Sequence, residues 1–276
     1  IPTFVGMTIG SIYMKYIVLV ADGMADRPLD KLDGRTPLES ARIPNMNYIV
    51  KHGKIGRAGT IPSGLEPASD VANLAILGYD PRKYYTGRGP FEAANMGIVL
   101  DEFDIAFRCN LITASGDVMA DYSAGHISSG EARVLIEHVD KSLGREYMKF
   151  YPGVSYRNIL VLKGSEFTEK INFAKPDSSQ GEEVSKLLPC QANGSPESAE
   201  TVKFIKKIIF DSMQILSSLP HDKNNNGKAN AVWPWSPGRK PQLQSFSEKY
   251  QGARAAVISA VDVIFGIAAC TGMDII

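Results

Sequence analysis

The stretch EPASDVANLAILGYDP, residues 66–81, is the part of the chain on which fold and function both depend. Ser69 stands directly before an apolar run that recurs near helical spacing and ends at Gly78: Val71, Leu74, Ala75 and Leu77. The spacing predicts a helix between Ser69 and Gly78. The hydroxyl of Ser69 either caps the free N–H groups of the first turn or is a nucleophile, because the same N–H groups and the helix dipole attract phosphate. The local pattern leaves both roles open.

A second stretch, YIVLVADG (residues 16–23), is a continuous apolar, β-rich run that ends at Asp22. It predicts a central strand of a parallel sheet with a carboxylate at its C-terminal end, where open α/β sheets bind ligands. Asp22 is either a metal ligand that supplies a hard oxygen or part of an Asp-Gly turn. With Ser69 it would make a metal-activated nucleophile, since a cation lowers the pKa of a hydroxyl.

Composition excludes several classes of protein. The 276 residues are 44% hydrophobic, and 30 basic residues balance 30 acidic ones, so bulk charge gives no reason to expect a nucleic-acid or membrane partner. Three cysteines, which are far apart and form no CxxC pair, argue against a zinc knuckle or disulfide scaffold: Cys109, Cys190 and Cys270. No apolar run approaches the roughly 18 residues of a membrane span. We therefore predict a soluble, cytoplasmic protein.

The rest of the chain indicates a second unit of α/β or α+β type. Residues 105–112 have a strand pattern, and residues 129–139 and 198–219 have helical patterns. The tail, residues 253–266, has the small apolar side chains of a buried helix, and residues 273–276 look like the beginning of a strand. The first 13 residues look like a non-native or disordered leader.

Three further residues are candidates for binding an anion. His126 lies in a Gly- and Ser-rich turn that opens a helix, which suits a phosphate or general-acid position as well as a plain surface histidine. Arg157 precedes the strand pattern of residues 159–162. Arg239 closes WPWSPGR (residues 233–239), a loop stiffened by two tryptophans and two prolines, where the arginine either presents its planar fork to an anion or stacks on an indole.

Seven motifs together resemble the archaeal-type 2,3-bisphosphoglycerate-independent phosphoglycerate mutases: ADGMADRP, EPASDVANLAILGYDP, YTGRGPFEAANMGI, SAGHISSGEA, FYPGVSYRNILV, ANAVWPWSPGR and AAVISAVDVIFGIAACTGM. The resemblance runs from about residue 14 to the end. It implies the α/β fold of the alkaline-phosphatase-like metalloenzymes, with an inserted α/β or α+β domain. We expect a partial metal-binding core in residues 14–90 and 245–276, and an inserted substrate-binding domain in residues 91–244.

The resemblance also implies roles for single residues. By position in its motif, Ser69 is similar to the serine that is phosphorylated and dephosphorylated during turnover, and Asp22 is similar to the first metal ligand. His126 resembles a histidine that faces the transferring group. Arg157 and Arg239 resemble the clamps that hold phosphate and carboxylate.

Two weaker assignments follow from the same resemblance. Asp177 resembles an acidic residue that helps proton transfer, although the family tends to place His-Asp where this chain has Pro-Asp. Lys249 is a candidate for phosphate contact. The implied cofactors are two divalent ions, Mn²⁺ or Mg²⁺ with Zn²⁺ or Co²⁺ as alternatives, and the implied reaction interconverts 3-phosphoglycerate and 2-phosphoglycerate through a phosphoserine.

The sequence departs from the family pattern in two places. It ends before the later aspartate, Asp-His pair and histidines that complete the metal sites, and Phe265 stands where the family often has lysine. We therefore expect a fragment with little or no mutase activity. The alternatives are a phosphotransferase or phosphatase of the same superfamily that acts on another small substrate such as homoserine, or a catalytically silent binding module. The sequence does not fix the oligomeric state.

Overall fold

The computed structural model describes residues 14–220 and 228–276, so the predicted leader, residues 1–13, lies outside the described residues. The chain separates into two compact units, Ile1–Ala58 and Gly59–Ile276. Within the described ranges, none of the helices combines the length and the apolar character that crossing a bilayer requires.

The first unit contains two short helices, α1 (Pro37–Ser40) and α2 (Pro44–His52), after a 3-10 turn at Asp30–Leu32. Both helices begin with proline, whose fixed φ suits the first helical position. Thr36 caps α1 through a reciprocal capping box with Glu39. Pro44 is therefore a helix-start signal that can be read in the sequence.

The prediction of a buried strand at residues 16–20 is wrong for this structure. These residues are not in a strand, and their side chains are between 45% and 90% exposed. A strand exists only where a neighbouring strand supplies hydrogen bonds, and no described strand pairs with this segment. Apolar, β-rich composition therefore does not make a strand by itself.

The second unit is a mixed α/β structure. Its helices are α3 (Ser69–Ile76), α4 (Pro81–Tyr84), α5 (Arg88–Asn95), α6 (Ser129–Leu143), α7 (Val184–Leu187), α8 (Pro196–Ser217), α9 (Phe246–Lys249) and α10 (Asp262–Thr271), with a 3-10 turn at Pro176–Ser178. Its strands are β1 (Ile105–Ser115), β2 (Val118–Asp121), β3 (Met148–Val154), β4 (Arg157–Leu162), β5 (Ile171–Asn172), β6 (Cys190–Gln191), β7 (Ala231–Arg239), β8 (Ala256–Val257) and β9 (Asp274–Ile275).

Five antiparallel strands form the main sheet, in which β1 pairs with β2, β4 and β7, and β3 pairs with β4. Alternate residues of β1 face opposite sides of the sheet. One side joins the main core with α6 and α8, and Ala106 on the other side packs with Ala93 of α5. Helices therefore cover both faces of the sheet.

A separate apolar core joins α3, α5 and α10 and includes Leu74, Phe91 and Ile267. The main core draws on residues 105–235. Both cores belong to the second compact unit. The boundaries at 90/91 and 244/245 stay a prediction.

The stiff loop expected at residues 233–239 is part of a strand. β7 is buried along most of its length and pairs with β1 alone among the described strands. Proline cannot donate to a sheet, but an edge strand tolerates it on the side without a partner. The two prolines therefore mark an edge strand.

The tail also differs from the expectation. Residues 253–266 were expected to form one buried helix, but α10 begins at Asp262, and β8 precedes it. β8 pairs in parallel with β9, which confirms the strand expected at the end of the sequence. The apolar run is therefore divided between a strand and a helix.

Candidate active site

Ser69 is the first residue of α3, which confirms the predicted helix. Ala68 occupies the N-cap position and makes no side-chain cap bond, so Ser69 is not the cap. The next residue, Asp70, is only 2% exposed, and its carboxylate accepts hydrogen bonds from the Val71 amide at 2.8 Å and the Tyr85 hydroxyl at 3.0 Å. A carboxylate at a helix N-terminus is stabilised by the helix dipole. Asp70 therefore fixes the turn that carries Ser69.

Tyr85 connects this turn to β7. Burial raises the pKa of Tyr85 and the Asp70 carboxylate raises it further, although the hydroxyl of Ser236 opposes the shift, so the phenol stays protonated and donates to Asp70. Ser236 also accepts from the backbone N–H of Arg88 at 2.9 Å. Burial lowers the pKa of Arg88, but Glu92 and, more weakly, Asp70 outweigh burial and raise it. The Arg88 side chain is therefore within electrostatic reach of α3.

Three polar residues lie close together on the face of the sheet that α5 covers. Arg108 and Asn110 are two positions apart on β1, and Arg157 of β4 is directly opposite Asn110. Residues two apart on a strand share a face, so Arg108 and Arg157 are diagonal neighbours at roughly 7–8 Å. The strand register thus brings together two arginines that are far apart in sequence.

Glu92 of α5 joins two arginines. Its Oε1 accepts from Arg88 Nε at 2.6 Å and from Arg108 Nη1 at 2.7 Å, and the Glu92 and Arg108 residues are each 4% exposed. Arg157 lines the same surface depression as Glu92. Asp262 lines this depression as well, so three guanidinium groups and two carboxylates lie in this region, which leaves one net positive charge.

The Nε of Arg108 is buried and finds no hydrogen-bond partner among the described residues. Burial lowers the pKa of Arg108, Glu92 opposes that effect, and Arg88 and Arg157 lower the pKa further. The guanidinium lies 5.1 Å from the ring centre of Trp235, where a cation–π contact holds it. A buried unpaired donor costs about 1–3 kcal/mol, so an anion that accepts from it would be favoured.

His126 lies in a loop organised by Asp121. The Asp121 carboxylate accepts from the Ser123 amide at 2.7 Å, the Ser123 hydroxyl at 2.6 Å and the Gly125 amide at 2.9 Å. Burial raises the pKa of Asp121, but these hydrogen bonds and the nearby His126 outweigh burial and lower it. His126 itself has a φ of 53° and is exposed. The loop therefore presents the imidazole from a defined backbone.

The ring of Tyr156 contacts both His126 and Arg157. The His126 and Tyr156 rings meet edge to face with centres 6.2 Å apart, and the Arg157 guanidinium lies 5.0 Å from the centre of the Tyr156 ring. Two of the predicted site residues, His126 and Arg157, therefore share Tyr156 as a neighbour. Their catalytic and binding roles stay predictions.

Asp177 lies on an exposed 3-10 turn. Two residues earlier, Lys175 forms an ion pair with Glu66, which precedes Ser69 by three residues. The turn is thus held to the segment that leads into α3. This supports a position for Asp177 near the site, but its role stays a prediction.

The Arg239 side chain is already engaged by protein groups. Its Nε donates to Glu169 at 2.9 Å, Nη2 donates to the carbonyl of Phe167 at 2.9 Å, and Nη1 donates to the carbonyl of Phe103. Arg239 pairs with Ile105 of β1, whereas Arg157 pairs with Asn110 of the same strand. These two positions on β1 are five residues, or roughly 17 Å, apart. The structure therefore does not bring the two predicted clamps together.

Lys249 lies near the C-terminal end of α3. Its Nζ is 5.1 Å from the ring centre of Tyr79 and 5.4 Å from that of Tyr250. Ser69 is at the other end of this eight-residue helix, about 10 Å away along the axis. The structure does not place Lys249 beside the nucleophile candidate, and its phosphate contact stays a prediction.

The described residues do not assemble a metal site. Asp22 lies in a turn of the first unit, where Gly23 has a φ of 74°, and Ser69 lies in the second unit. Across the described ranges, no three Asp, Glu, His or Cys side chains lie close enough to share an ion. Divalent ions such as Mg²⁺ need about six ligands, so two candidate donors do not fit a complete site.

Sequence reasoning missed four members of the cluster: Tyr85, Arg88, Glu92 and Arg108. Two features of the sequence point to Arg88, Glu92 and Arg108. Arg88 and Glu92 have the i,i+4 spacing of an ion pair on a helix. Arg108 and Asn110 alternate with apolar residues on a strand whose other face is buried, which marks a polar face that needs partners.

Comparison with known proteins identifies the relatives of this chain. The model of the 2,3-bisphosphoglycerate-independent phosphoglycerate mutase family matches residues 50–222. A protein of that name from Methanosarcina barkeri is 47% identical over 267 residues, which are 95% of this chain and 65% of the relative. A probable mutase from Geobacter sulfurreducens is 42% identical over 271 residues, with the same coverage. The chain belongs to this mutase family.

Two solved structures resemble this chain, and one of them is a named mutase. A protein from Pyrococcus horikoshii matches 92% of this chain and 59% of its own, with 26% identity and a TM-score of 0.67. The cofactor-independent phosphoglycerate mutase from Thermoplasma acidophilum matches 92% and 66%, with 29% identity and a TM-score of 0.53. The resemblance found from the seven motifs is therefore confirmed. The chain spans about 65% of the length of the curated mutases it matches.

Proposed function

We propose that the protein interconverts 3-phosphoglycerate and 2-phosphoglycerate in its whole form, and that this chain carries the phosphoryl acceptor and most of the substrate-binding groups. The observation that carries the proposal is the cluster of Arg88, Arg108 and Arg157 around Glu92, with a buried unpaired N–H on Arg108. Membership of the mutase family supports the same reading.

The cluster suits a small substrate with two anionic ends. Arginine presents a planar fork that matches carboxylate and phosphate oxygens. Glu92 and Asp262 offset two of the three positive charges, and Glu92 holds two of the guanidinium groups in place. The remaining positive charge would bind the phosphate or carboxylate of phosphoglycerate. Because the formal charge of the whole chain is zero, this attraction must be local.

The reaction consists of two phosphoryl transfers. The Ser69 oxygen attacks the phosphorus of 3-phosphoglycerate, the bond to the 3-oxygen breaks, and the serine proton ends on the released 3-hydroxyl. The 2-hydroxyl of the retained glycerate then attacks the phosphoserine, which regenerates Ser69 and gives 2-phosphoglycerate. In this proposal His126 donates a hydrogen bond to the group in transit, and Arg157 holds the glycerate between the two steps.

Divalent ions belong to the whole protein in this proposal. Two Mn²⁺ or Mg²⁺ ions, or Zn²⁺ or Co²⁺ in their place, would need ligands beyond Asp22 and Ser69. None of the steps above depends on where they bind. Location in the cytoplasm also stays a prediction.

The experiment separates binding from turnover. Titration calorimetry of this chain with 3-phosphoglycerate should give binding that Arg157→Met weakens at least tenfold, whereas Arg133→Met, an exposed arginine on α6, should leave it unchanged. The chain extended to the length of its relatives should form 2-phosphoglycerate with Mn²⁺ and without 2,3-bisphosphoglycerate. Ser69→Ala should abolish this activity. Equal product from parent and Ser69→Ala, or no product from a folded parent, would overturn the proposal.

A further inference from the structure

Tyr85 is not among the residues to which the motifs assign a role, yet its hydroxyl lies between the turn that carries Ser69 and the strand beside the arginine cluster. We infer that Tyr85 is a positioning residue, which holds the first turn of α3 in register with that cluster. The inference rests on the proposed function, because it concerns where the phosphoryl acceptor stands relative to bound substrate.

The contact on the α3 side is buried and short. The Tyr85 hydroxyl donates to Asp70 Oδ2 at 3.0 Å, and Asp70 Oδ1 accepts from the Val71 amide at 2.8 Å. Asp70 is next to Ser69 in the chain and is 2% exposed. A hydrogen bond to a buried carboxylate is among the stronger kinds, because water does not compete for the acceptor. The orientation of the first turn of α3 therefore depends on Tyr85.

The segment that carries Tyr85 is fixed on its other side to β7. The Thr86 hydroxyl donates to the carbonyl of Arg239 at 2.8 Å, and the Arg88 amide donates to the Ser236 hydroxyl at 2.9 Å. Gly87 also packs against the backbone of β7 so closely that a Cβ would overlap it. Since this segment cannot shift easily along β7, Tyr85 transmits the position of the sheet to α3.

A second connection to the Ser69 segment is much weaker. Glu66 and Lys175 form an ion pair, but their side chains are 76% and 39% exposed. Exposed ion pairs contribute little because water screens them and both side chains lose entropy. The Asp70–Tyr85 bond is therefore the stronger of these two polar connections to the Ser69 segment.

The test compares Tyr85→Phe with Tyr84→Phe, which removes the neighbouring phenolic hydroxyl from a ring that packs edge-on against Tyr79. In the protein extended to the length of its relatives, Tyr85→Phe should lower kcat about tenfold to hundredfold and change KM less than twofold. Tyr84→Phe should match the parent. Asp70→Asn is a second variant, and the double variant should be no slower than the slower single variant, because both remove one interaction. Additive losses, or a parent-like kcat for Tyr85→Phe, would overturn the inference.

Amide hydrogen exchange keeps the test decisive when the parent has no mutase activity. In the present chain, the Val71 amide, which donates to Asp70, and the Ala72 amide, which donates to the carbonyl of Ala68, should exchange at least tenfold faster in Tyr85→Phe than in the parent or Tyr84→Phe. Equal exchange in all three proteins would refute the positioning role. An inactive parent with faster exchange in Tyr85→Phe would refute the proposed function alone.

Discussion

Arg108 Nη1 donates to Glu92 Oε1 at 2.7 Å, and both residues are almost fully buried. The same oxygen accepts from the partly exposed Arg88, so one carboxylate binds two cations. Paired buried charges contribute little net stability, because desolvation offsets much of their attraction. Removing one partner is different, because the remaining charge keeps its desolvation cost and loses its compensation. This asymmetry makes Glu92 the member of the cluster to change first.

Glu92→Gln should destabilise the chain by about 3–5 kcal/mol, because it leaves a buried guanidinium uncompensated. Urea unfolding measures this change in the free energy of unfolding. The control is Glu137→Gln, which removes an exposed i,i+4 partner of Arg133 on α6 and should cost less than about 1 kcal/mol. Similar losses of unfolding free energy in the two variants would mean that charge pairing does not stabilise the buried cluster.

A second stability prediction concerns two helical glycines. A Cβ on Gly266 of α10 would overlap the backbone of Phe91 in α5, whereas one on Gly130 of α6 would meet nothing within 4 Å. Gly266→Ala should therefore cost about 1–3 kcal/mol through overpacking, and Gly130→Ala should be neutral or stabilise by up to about 1 kcal/mol. Thermal unfolding of the two variants checks the contrast, and an unchanged Tm for Gly266→Ala would contradict close packing of α10 on α5.

The sequence predicted the helix beside Ser69 and the strand at residues 105–112 because both depend on local periodicity. It failed where long-range pairing decides. Residues 16–20 have a stronger β composition than β7, yet they pair with no described strand, whereas the proline-containing β7 pairs with β1. Whether a segment forms a strand depends on the strand with which it pairs, and the sequence of the segment does not identify that partner.

The same reason explains which site residues could be foreseen. His126 and Arg157 stand in recognisable motifs, so resemblance found them. Arg108 was missed because its importance comes from the register that brings it near Arg157 and from the helix that brings Glu92 over it. The alternation around Arg108 marks a polar face that needs partners, but it does not identify Arg157 or Glu92 as those partners.

The three cysteines should differ sharply in alkylation by iodoacetamide. Cys190 is exposed, whereas burial raises the pKa of the Cys109 thiol, and burial raises the pKa of Cys270 to about 11 despite the opposing effect of Lys240. The thiolate is the reactive species, so near pH 8 the buried thiols should react slowly. Mass spectrometry should find Cys190 modified first and Cys109 only after unfolding. Early modification of Cys109 would contradict its burial in the main core.

The hydrogen-bonded Asp121 carboxylate should make the free energy of unfolding depend on pH below neutrality. Hydrogen bonds from Ser123 and Gly125 outweigh burial and hold the pKa of Asp121 below its ordinary 3.8. A group whose pKa is lowered by folding stabilises the protein above its unfolded pKa, and that contribution disappears as pH falls through the folded pKa. Asp121→Asn should therefore be less stable than the parent near neutral pH, and the gap should narrow below about pH 4. A gap that stays constant down to about pH 2 would contradict the lowered pKa.

Arg157 and Arg239 should separate binding from structure. Arg157 has one face on the Tyr156 ring and lines the depression beside Glu92, so it can receive a ligand at little structural cost. The Arg239 guanidinium already donates to Glu169 and two backbone carbonyls, so removing it leaves partly buried acceptors unpaired.

Arg157→Met should therefore weaken 3-phosphoglycerate binding at least tenfold and change the free energy of unfolding by less than about 1 kcal/mol. Arg239→Met should lower the free energy of unfolding by about 1–3 kcal/mol and leave binding within about threefold of the parent. Calorimetry and urea unfolding on the same preparations give both quantities. If Arg239→Met instead abolishes binding in a stable protein, its contacts with Glu169 must break when substrate arrives. Arg239 would then be the second clamp that the family resemblance implies.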